Sequence, residues 1–302
     1  MKTKTGKLGK TPWLFILVCG LPAILLTAYF ILWPTLQVLW LSFTDARALS
    51  YRQSSFVGFD NYTFMFQDRR FLQALGNTLK LLAVAPVVTV FGALLLAFMV
   101  TQSKLRERGF YRTVFFFPSV IALPIIAITW SFVFHPRFGL LNGLLGALGF
   151  DALAEHPWMG DPATALWTIA VAFVWQSAGY FMVMHIAAID GISAEVYEAA
   201  SIDGAGAARK LFGITLPLIK DIVGITFIFS VSGILDSSFT LSAVMTGGGP
   251  NGASTVLLSY IYTQGIRNSE YGYAMAITAF TLALAVVLAL MSRLITSRRE
   301  SR

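Results

Sequence analysis

Six apolar stretches, each long enough to cross a lipid bilayer, fix what this chain can fold into. The hydrocarbon core is about 30 Å thick, and a helix rising about 1.5 Å per residue crosses it in roughly 20 residues. Leu14–Leu36, Leu79–Val100, Val114–Phe134, Ala165–Ile189, Ile222–Val244 and Tyr273–Ile295 all meet that length. Lipid offers backbone amides no partner, so each stretch is expected to be a helix, and the fold class is all-α integral membrane protein with six transmembrane helices. Composition agrees: 56% of the 302 residues are hydrophobic and 12% charged, about half the charge of a soluble domain. Pro22, Pro34, Pro86, Pro118 and Pro124 fall inside these stretches, and kinks are expected there.

Lysine and arginine give the orientation. Fifteen lie in the N-terminal tail, the 101–112 connection, the 190–221 connection and the C-terminal tail, against six (Arg47, Arg52, Arg69, Arg70, Arg137, Arg267) in the alternate connections. The positive-inside rule puts both termini in the cytoplasm. The basic start at Met1–Lys10 precedes an apolar run to about Phe43, too long for the core of a cleaved signal, so a retained first span is expected. The domain reading is a cytoplasmic tail at 1–13, a six-span domain at 14–297 and a cytoplasmic tail at 298–302. On the outer side, FVGFDNYTFMFQDRRF suits an interfacial helix, and the 135–162 and 245–272 connections carry turn residues. Asn61-Tyr62-Thr63 matches a glycosylation acceptor, a three-residue pattern of low specificity.

Between the fourth and fifth spans lies a polar segment, EAASIDGAGAARKLFGITLP (Glu198–Pro217). Ser193 is placed to cap a helix Ala194–Ile202, with Glu195 in its positive first turn. Asp203-Gly204 stops that helix, because glycine accepts the left-handed conformation. A second short helix is expected over Ala205–Phe212, ended by Gly213, with Pro217 in the first turn of the next one. Small Ala199 and Ala200 permit close approach of another surface, and Leu211, Phe212 and Ile214 are expected to anchor the segment to the bundle.

Catalytic signatures are missing. The phosphate-binding pattern G-x-x-x-x-G-K-[ST] fails at Lys4, ahead of Gly9-Lys10-Thr11, and neither G-x-S-x-G nor H-E-x-x-H occurs. Scattered His135, His156 and His185 and the single Cys19 argue against a metal site, and no disulfide can form within the chain. The net charge of +7 sits in short connections and tails beside apolar runs, which fits a membrane protein better than a nucleic-acid binder.

Polar residues inside spans are costly and mark candidate pathways. Asp236 is the one acid well inside a span; Ser232 lies one turn before it, and Ser237, Ser238 and Phe239 follow. On the fourth span, Trp175, Gln176, Ser177 and Tyr180 form a second polar-aromatic set. Together these residues set amide, carboxylate and hydroxyl groups beside flat apolar rings. Interhelical bonding is the plainer reading for each serine or glutamine, and for His185.

The spacing Glu198-Ala199-Ala200, Gly204, then Ile214-x-Leu216-Pro217 resembles the EAA signature of permease subunits in binding-protein-dependent ABC importers. FVGFDNY, Asn77-Thr78, Arg112-Thr113 with FFFPSV, Trp130, GLLN at 139–142 and MTGGGPNGAST with Tyr260-Ile261-Tyr262 extend the likeness over almost the whole chain, to the MalF-like sugar permeases. The resemblance implies the MetI/MalF-like permease fold of the prokaryotic inner membrane. It implies ATPase coupling through Glu198, Ala199, Ala200, Asp203, Gly204, Ile214, Leu216 and Pro217 of the 191–217 loop. It also implies a MalG-like second permease, a homodimeric ABC ATPase holding the ATP and Mg, an extracytoplasmic binding protein and a carbohydrate substrate. This chain itself then binds no cofactor and catalyses nothing. The family often has Phe-Asp before the glycine-rich loop; here Phe239 precedes Thr240, so a substrate role for Asp236 does not follow from the match. Glycerol-3-phosphate or a polyol is the alternative cargo. An ion-coupled secondary transporter, which calls for more intramembrane acids and an inverted repeat, and a membrane scaffold are the rival classes.

Overall fold

The computed structural model describes residues 13–47, 54–102 and 107–297, with side chains over 17–47, 54–102 and 107–287. Residues 1–12 of the expected tail at 1–13, the expected tail at 298–302, and the cations Arg52, Lys104 and Arg106 lie outside the described residues. Among the described residues there is no strand, only an isolated antiparallel bridge between Thr44 and Phe56.

Helix α1 (Trp13–Thr27) runs through a π turn (Ala28–Leu32) into α2 (Trp33–Leu41), with Pro34 in the first turn of α2. The short α3 (Asp60–Gln67) precedes the long α4 (Arg69–Gln102), which holds Pro86 within a continuous helix. Next come α5 (Arg108–Phe116), a 3-10 turn (Phe117–Val120), α6 (Leu123–Val133), α7 (Leu140–Ala147) and α8 (Asp151–Ala154). The spanning α9 (Ala165–Asp190) leads to α10 (Ala194–Ile202), α11 (Ala207–Lys210), a π turn (Leu211–Thr215) and α12 (Leu216–Leu218). Helix α13 (Lys220–Leu241) ends in a π turn (Ser242–Thr246). Finally, α14 (Leu257–Tyr262) passes through a π turn (Thr263–Arg267) to α15 (Tyr271–Ser297).

Four helical stretches are long and apolar enough to span: Leu17–Leu41, Arg69–Gln102, Ala165–Asp190 and Lys220–Thr246. The expected third span, Val114–Phe134, is not one helix. Arg108–Val120 and Leu123–Val133 meet at 101°: Ile121 (φ −81°, ψ 137°) and Ala122 (φ −59°, ψ 134°) both leave the helical region, and α6 starts anew with Pro124 in its first turn, where the missing N–H costs nothing. Pro118 sits in the tight turn just before the break. Counted as one, the pair is a fifth span; α15 supplies the last long helix, its side chains described to Val287.

Helix α4 organises the core, because three buried clusters are strung along it. Phe71 and Ala74 pack with Met65, Leu257, Tyr260, Tyr273 and Ile277 at its start. Leu81 and Ala85 pack with Ile169, Phe173 and Ile234 at its middle. Ala93, Leu94 and Phe98 pack with Met182, Ile186, Leu211 and Ile219 at its end. Helices α9 and α13 thus close on α4, whereas Leu17–Leu41 turns almost all its apolar surface outward.

Side-chain hydrogen bonds lock the turns to these helices. Asn61 Nδ2 donates to the Ser42 (2.9 Å) and Thr44 (2.8 Å) carbonyls, so the amide that matched a glycosylation acceptor holds α3 to the end of α2. Buried Asn77 Nδ2 donates to the Gly252 and Thr255 carbonyls, both at 3.0 Å, and Thr78 Oγ1 accepts from Leu257 N at 3.0 Å. Two sequence motifs about 175 residues apart therefore form one contact. His185 bonds Thr226 Oγ1 at 2.9 Å between α9 and α13, an interhelical clasp.

The tightest approach is at Gly179, where an added Cβ meets the Phe115 carbonyl oxygen at 1.7 Å. Gly179→Ala is expected to lower stability by about 1–3 kcal/mol through overpacking. Gly92, also helical and with nothing within 4 Å of such a Cβ, is expected to stabilise by about 0.5–1 kcal/mol as Gly92→Ala. Thermal unfolding in detergent, followed by tryptophan fluorescence, reads both signs.

Candidate functional site: a polar cavity and a braced loop

The break after Val120 opens a space between the 3-10 turn, α9 and α13. A cavity of about 440 Å³ there is lined by Ser119, Phe173, Gln176, Ser177, Tyr180, Phe181, Phe229, Gly233 and Ser237. Its volume suits one or two sugar rings. Gln176, Ser177 and Tyr180 come from one face of α9, and Ser177 Oγ donates to Gln176 Oε1 at 2.9 Å. Three phenylalanine rings provide apolar walls. No Lys, Arg, Asp or Glu lines it.

The structure divides the expected pathway residues. Gln176, Ser177 and Tyr180 meet at the cavity. Trp175 does not line it: it lies edge-on to Trp130 at 5.7 Å. Asp236 and Ser232 share a face of α13, but that face is exposed rather than turned into the bundle; Ser237, one residue on, points to the cavity instead. Ser238 is buried and donates to the Leu235 carbonyl at 2.9 Å. Phe239 packs against Tyr262 at 5.5 Å, beside a separate apolar hollow. Ser119 and Phe229 were not singled out by sequence; only the proline-rich FFFPSV break marked that region.

The Glu198–Pro217 segment is a braced unit. Helix α10 has the expected bounds, although Ser193 stands at the N-cap in extended conformation without making the side-chain bond. Gly204 takes φ +75°, and Ala205 N returns to the Ala200 carbonyl at 2.8 Å, closing the helix as glycine allows. The second helix is shorter than expected: α11 stops at Lys210, and Gly213 lies inside a π turn rather than ending a helix. Leu211 is buried in the cluster at the end of α4, Phe212 is half exposed against Phe91 (6.3 Å), and Ile214 is half-buried.

A chain of bonds ties α10 to that π turn. Tyr197 Oη donates to Thr215 Oγ1 (2.9 Å), which donates to the Lys210 carbonyl (3.1 Å); Lys210 Nζ donates to Ser201 Oγ (2.7 Å), which donates to the Tyr197 carbonyl (2.7 Å). Sequence reading missed these four; the turn spacing of Tyr197 and Ser201 was the available signal. The brace leaves Glu198, Ala199, Ile202, Asp203 and Gly204 exposed, while Ala200 is buried. Ile202 is 87% exposed, an apolar side chain at the tip of a polar unit.

At the far end of the bundle, Asp68 joins α4, α14 and α15. Its Oδ2 accepts from the Tyr260 hydroxyl and from the Tyr273 hydroxyl (2.7 Å), and Oδ1 accepts from Arg70 N at 2.9 Å. Partial burial pushes the carboxyl pKa up; the two hydroxyls and the Arg70 and Phe71 amides outweigh it, and the net pKa lies below 3.8. Tyr260 is pushed up to about 12 by burial and by the Asp68 carboxylate it bonds.

Residues 89–301 match the family of binding-protein-dependent transport system inner membrane components. The diacetylchitobiose uptake system permease protein NgcF of Streptomyces coelicolor is 37% identical over 93% of this chain and 82% of its own length. The sn-glycerol-3-phosphate transport system permease protein UgpA of Escherichia coli is 30% identical over 92% of each. The crystal structure of a bacterial alginate ABC transporter, in complex with an alginate pentasaccharide-bound periplasmic protein, contains a chain that superposes with a TM-score of 0.80. That chain is 25% identical, with 95% of this chain and 94% of the other covered.

Asp68→Asn removes the charge from the hydrogen bonds with Tyr260, Tyr273 and the Arg70 and Phe71 amides and is expected to destabilise by about 1–3 kcal/mol at pH 7. Because the folded pKa is depressed below 3.8, this stabilisation is present above that pH and lost as pH falls through the folded value. The gap in thermal midpoint between wild type and variant should close in that acidic window.

Proposed function

The chain belongs to the binding-protein-dependent transport system inner membrane components, and from that membership we propose that it carries a neutral carbohydrate through the cavity between α9 and α13. It is a permease subunit of an ABC importer, a membrane component and not a catalyst. The observation that carries the cargo reading is the cavity lining: one amide, four hydroxyls, three phenyl rings and no charge. Amide and hydroxyl groups exchange hydrogen bonds with sugar hydroxyls, and the rings cover the C–H faces.

The same lining argues against a phosphate-bearing cargo such as that of UgpA. A phosphate moved out of water needs cationic partners, and this chain brings none to the cavity. NgcF, whose name gives an acetylated sugar as its cargo, is the relative whose chemistry fits.

In this reading both termini and α10 face the cytoplasm, as the lysine and arginine distribution requires. Glu198, Ala199, Asp203 and Gly204 form the docking face for a homodimeric ATPase that holds ATP and Mg, with Ile202 entering an apolar pocket on it. Ile214, Leu216 and Pro217 pass the motion to α13, and buried Ala200 seats α10. A MalG-like permease completes the path, and an extracytoplasmic binding protein delivers the sugar. Because the Tyr197–Thr215 and Lys210–Ser201 bonds make α10 to α12 one rigid piece, a push on Ile202 reaches α9 and α13 without being absorbed in the loop. Repacking of those helices on α4 then opens the cavity to alternate sides.

Tagged purification in mild detergent, with mass spectrometry of what accompanies the chain, tests the assembly; recovery of the chain alone sinks it. With the complex in liposomes, uptake of diacetylchitobiose without uptake of glycerol-3-phosphate is the expected cargo result, and the reverse overturns the neutral-sugar reading. Gln176→Ala is expected to raise the half-saturating sugar concentration by about tenfold, the loss of one buried hydrogen bond, with Asp236→Asn near wild type. Glu198→Lys should abolish transport while the thermal midpoint holds; normal transport by that variant removes the docking assignment.

A further inference from the structure

We propose that a polar notch at the outer end of α4, centred on Arg70, receives an acidic side chain of the extracytoplasmic binding protein. The proposal rests on the orientation and partners given above.

The notch has a volume of about 430 Å³ and is lined by Arg70 and Gln73 of α4, Asn251, Gly252 and Thr255 of the glycine-rich loop, and Tyr260 and Thr263. It shares no lining residue with the sugar cavity, so it is a separate place on the molecule. Its floor is built rigidly. Asn77 holds the Gly252 and Thr255 carbonyls, and Gln73 Nε2 donates to the Asn251 carbonyl at 3.1 Å. Asn251 (φ 48°) and Gly252 (φ +79°) sit in left-handed conformations that fix the loop tip. A Cβ at Gly252 would meet Gln73 Oε1 at 2.8 Å, so loop and helix are in contact.

What the notch offers is one cation. Among the described residues Arg70 makes no ion pair. Its neighbour Asp68 is already satisfied by two tyrosine hydroxyls and two backbone amides. Arg47, by contrast, is matched with Glu270 at 3.3 Å. Thr263 Oγ1 uses its one donor on the Ser259 carbonyl, which leaves the guanidinium as the anion-binding group of the notch. A guanidinium in a preformed hollow beside a carboxamide suits a carboxylate, which it binds through two parallel hydrogen bonds. The hollow is much larger than a free carboxylate needs, which favours an inserted side chain with its backbone. In the related alginate transporter structure a periplasmic protein is bound to the assembly.

The test is the ATPase activity of the whole reconstituted complex, titrated with the solute-binding protein recovered alongside it. Arg70→Glu is expected to raise the half-saturating concentration of that protein by about tenfold, with basal and maximal rates unchanged. Arg69→Glu, an exposed cation next in sequence that does not line the notch, should stay within about twofold. Equal half-saturation for wild type and Arg70→Glu overturns the docking site alone. So does an equal effect from both variants, which would indicate diffuse attraction. A change in the sugar dependence of uptake without a change in binding-protein dependence overturns it in favour of a sugar subsite. No stimulation of the wild type overturns the importer reading and this inference together.

Discussion

Hydrocarbon leaves a peptide amide nothing to bond, so each departure from helix in this protein has to be answered by a side chain or by another segment. The structure shows those answers. The loop after α13 is stitched by Ser242, Thr246 and Ser254 from within, and by Asn77 and Thr78 of α4 from outside. The end of α2 is held by Asn61. At the break between Val120 and Leu123, Ser119 Oγ donates to the Phe116 carbonyl, Ile121 N to the Pro118 carbonyl, and Ile125 N and Ile126 N of α6 to the Ala122 carbonyl. Polar side chains thus do two different jobs here, closing the backbone at the bundle's ends and lining a cavity at its middle.

Helix α9 joins the braced loop to the polar cavity. Its last turns pack with Leu211 and Ile219, which frame the braced loop, and its middle carries Gln176, Ser177 and Tyr180. From Asp190 back to Gln176 a helix covers about 21 Å at 1.5 Å per residue, so a single continuous element spans from the loop to the cavity. The absence of a Cβ at Gly179 lets this helix lie against the backbone at Phe115, which couples it to the bent pair that forms the cavity's other wall. Helix α9 therefore touches both the bent pair and the residues that frame the braced loop.

Much of this was legible in the chain. Length and apolarity placed α4, α9 and α13 within a few residues, except that α4 begins ten residues earlier than its apolar run, on Arg69. The stop at Gly204 and the place of Pro217 followed from backbone chemistry alone. The faces were harder to read. In a membrane bundle the lipid-facing and core-facing sides are both apolar, so nothing in the pattern separates Asp236, which is exposed, from Ser237, which reaches the cavity. The 101° bend was signalled by Pro118 and Pro124, but proline alone did not distinguish it from Pro86, which α4 absorbs without interruption. The Tyr197–Thr215 brace depends on a turn that brings back a residue eighteen positions away, and no local rule reaches that far.

Four π turns, at Ala28–Leu32, Leu211–Thr215, Ser242–Thr246 and Thr263–Arg267, recur among the described residues. Each accommodates one residue more than an α-turn, and so rotates everything after it by about 100° relative to an uninterrupted helix. In developmental terms they behave as phase adjusters. Removing a residue from one of them would restore ordinary helical register, and a lineage of such permeases could re-aim a helix face toward lipid or toward its path by single-residue insertion or deletion, with the helices themselves left whole.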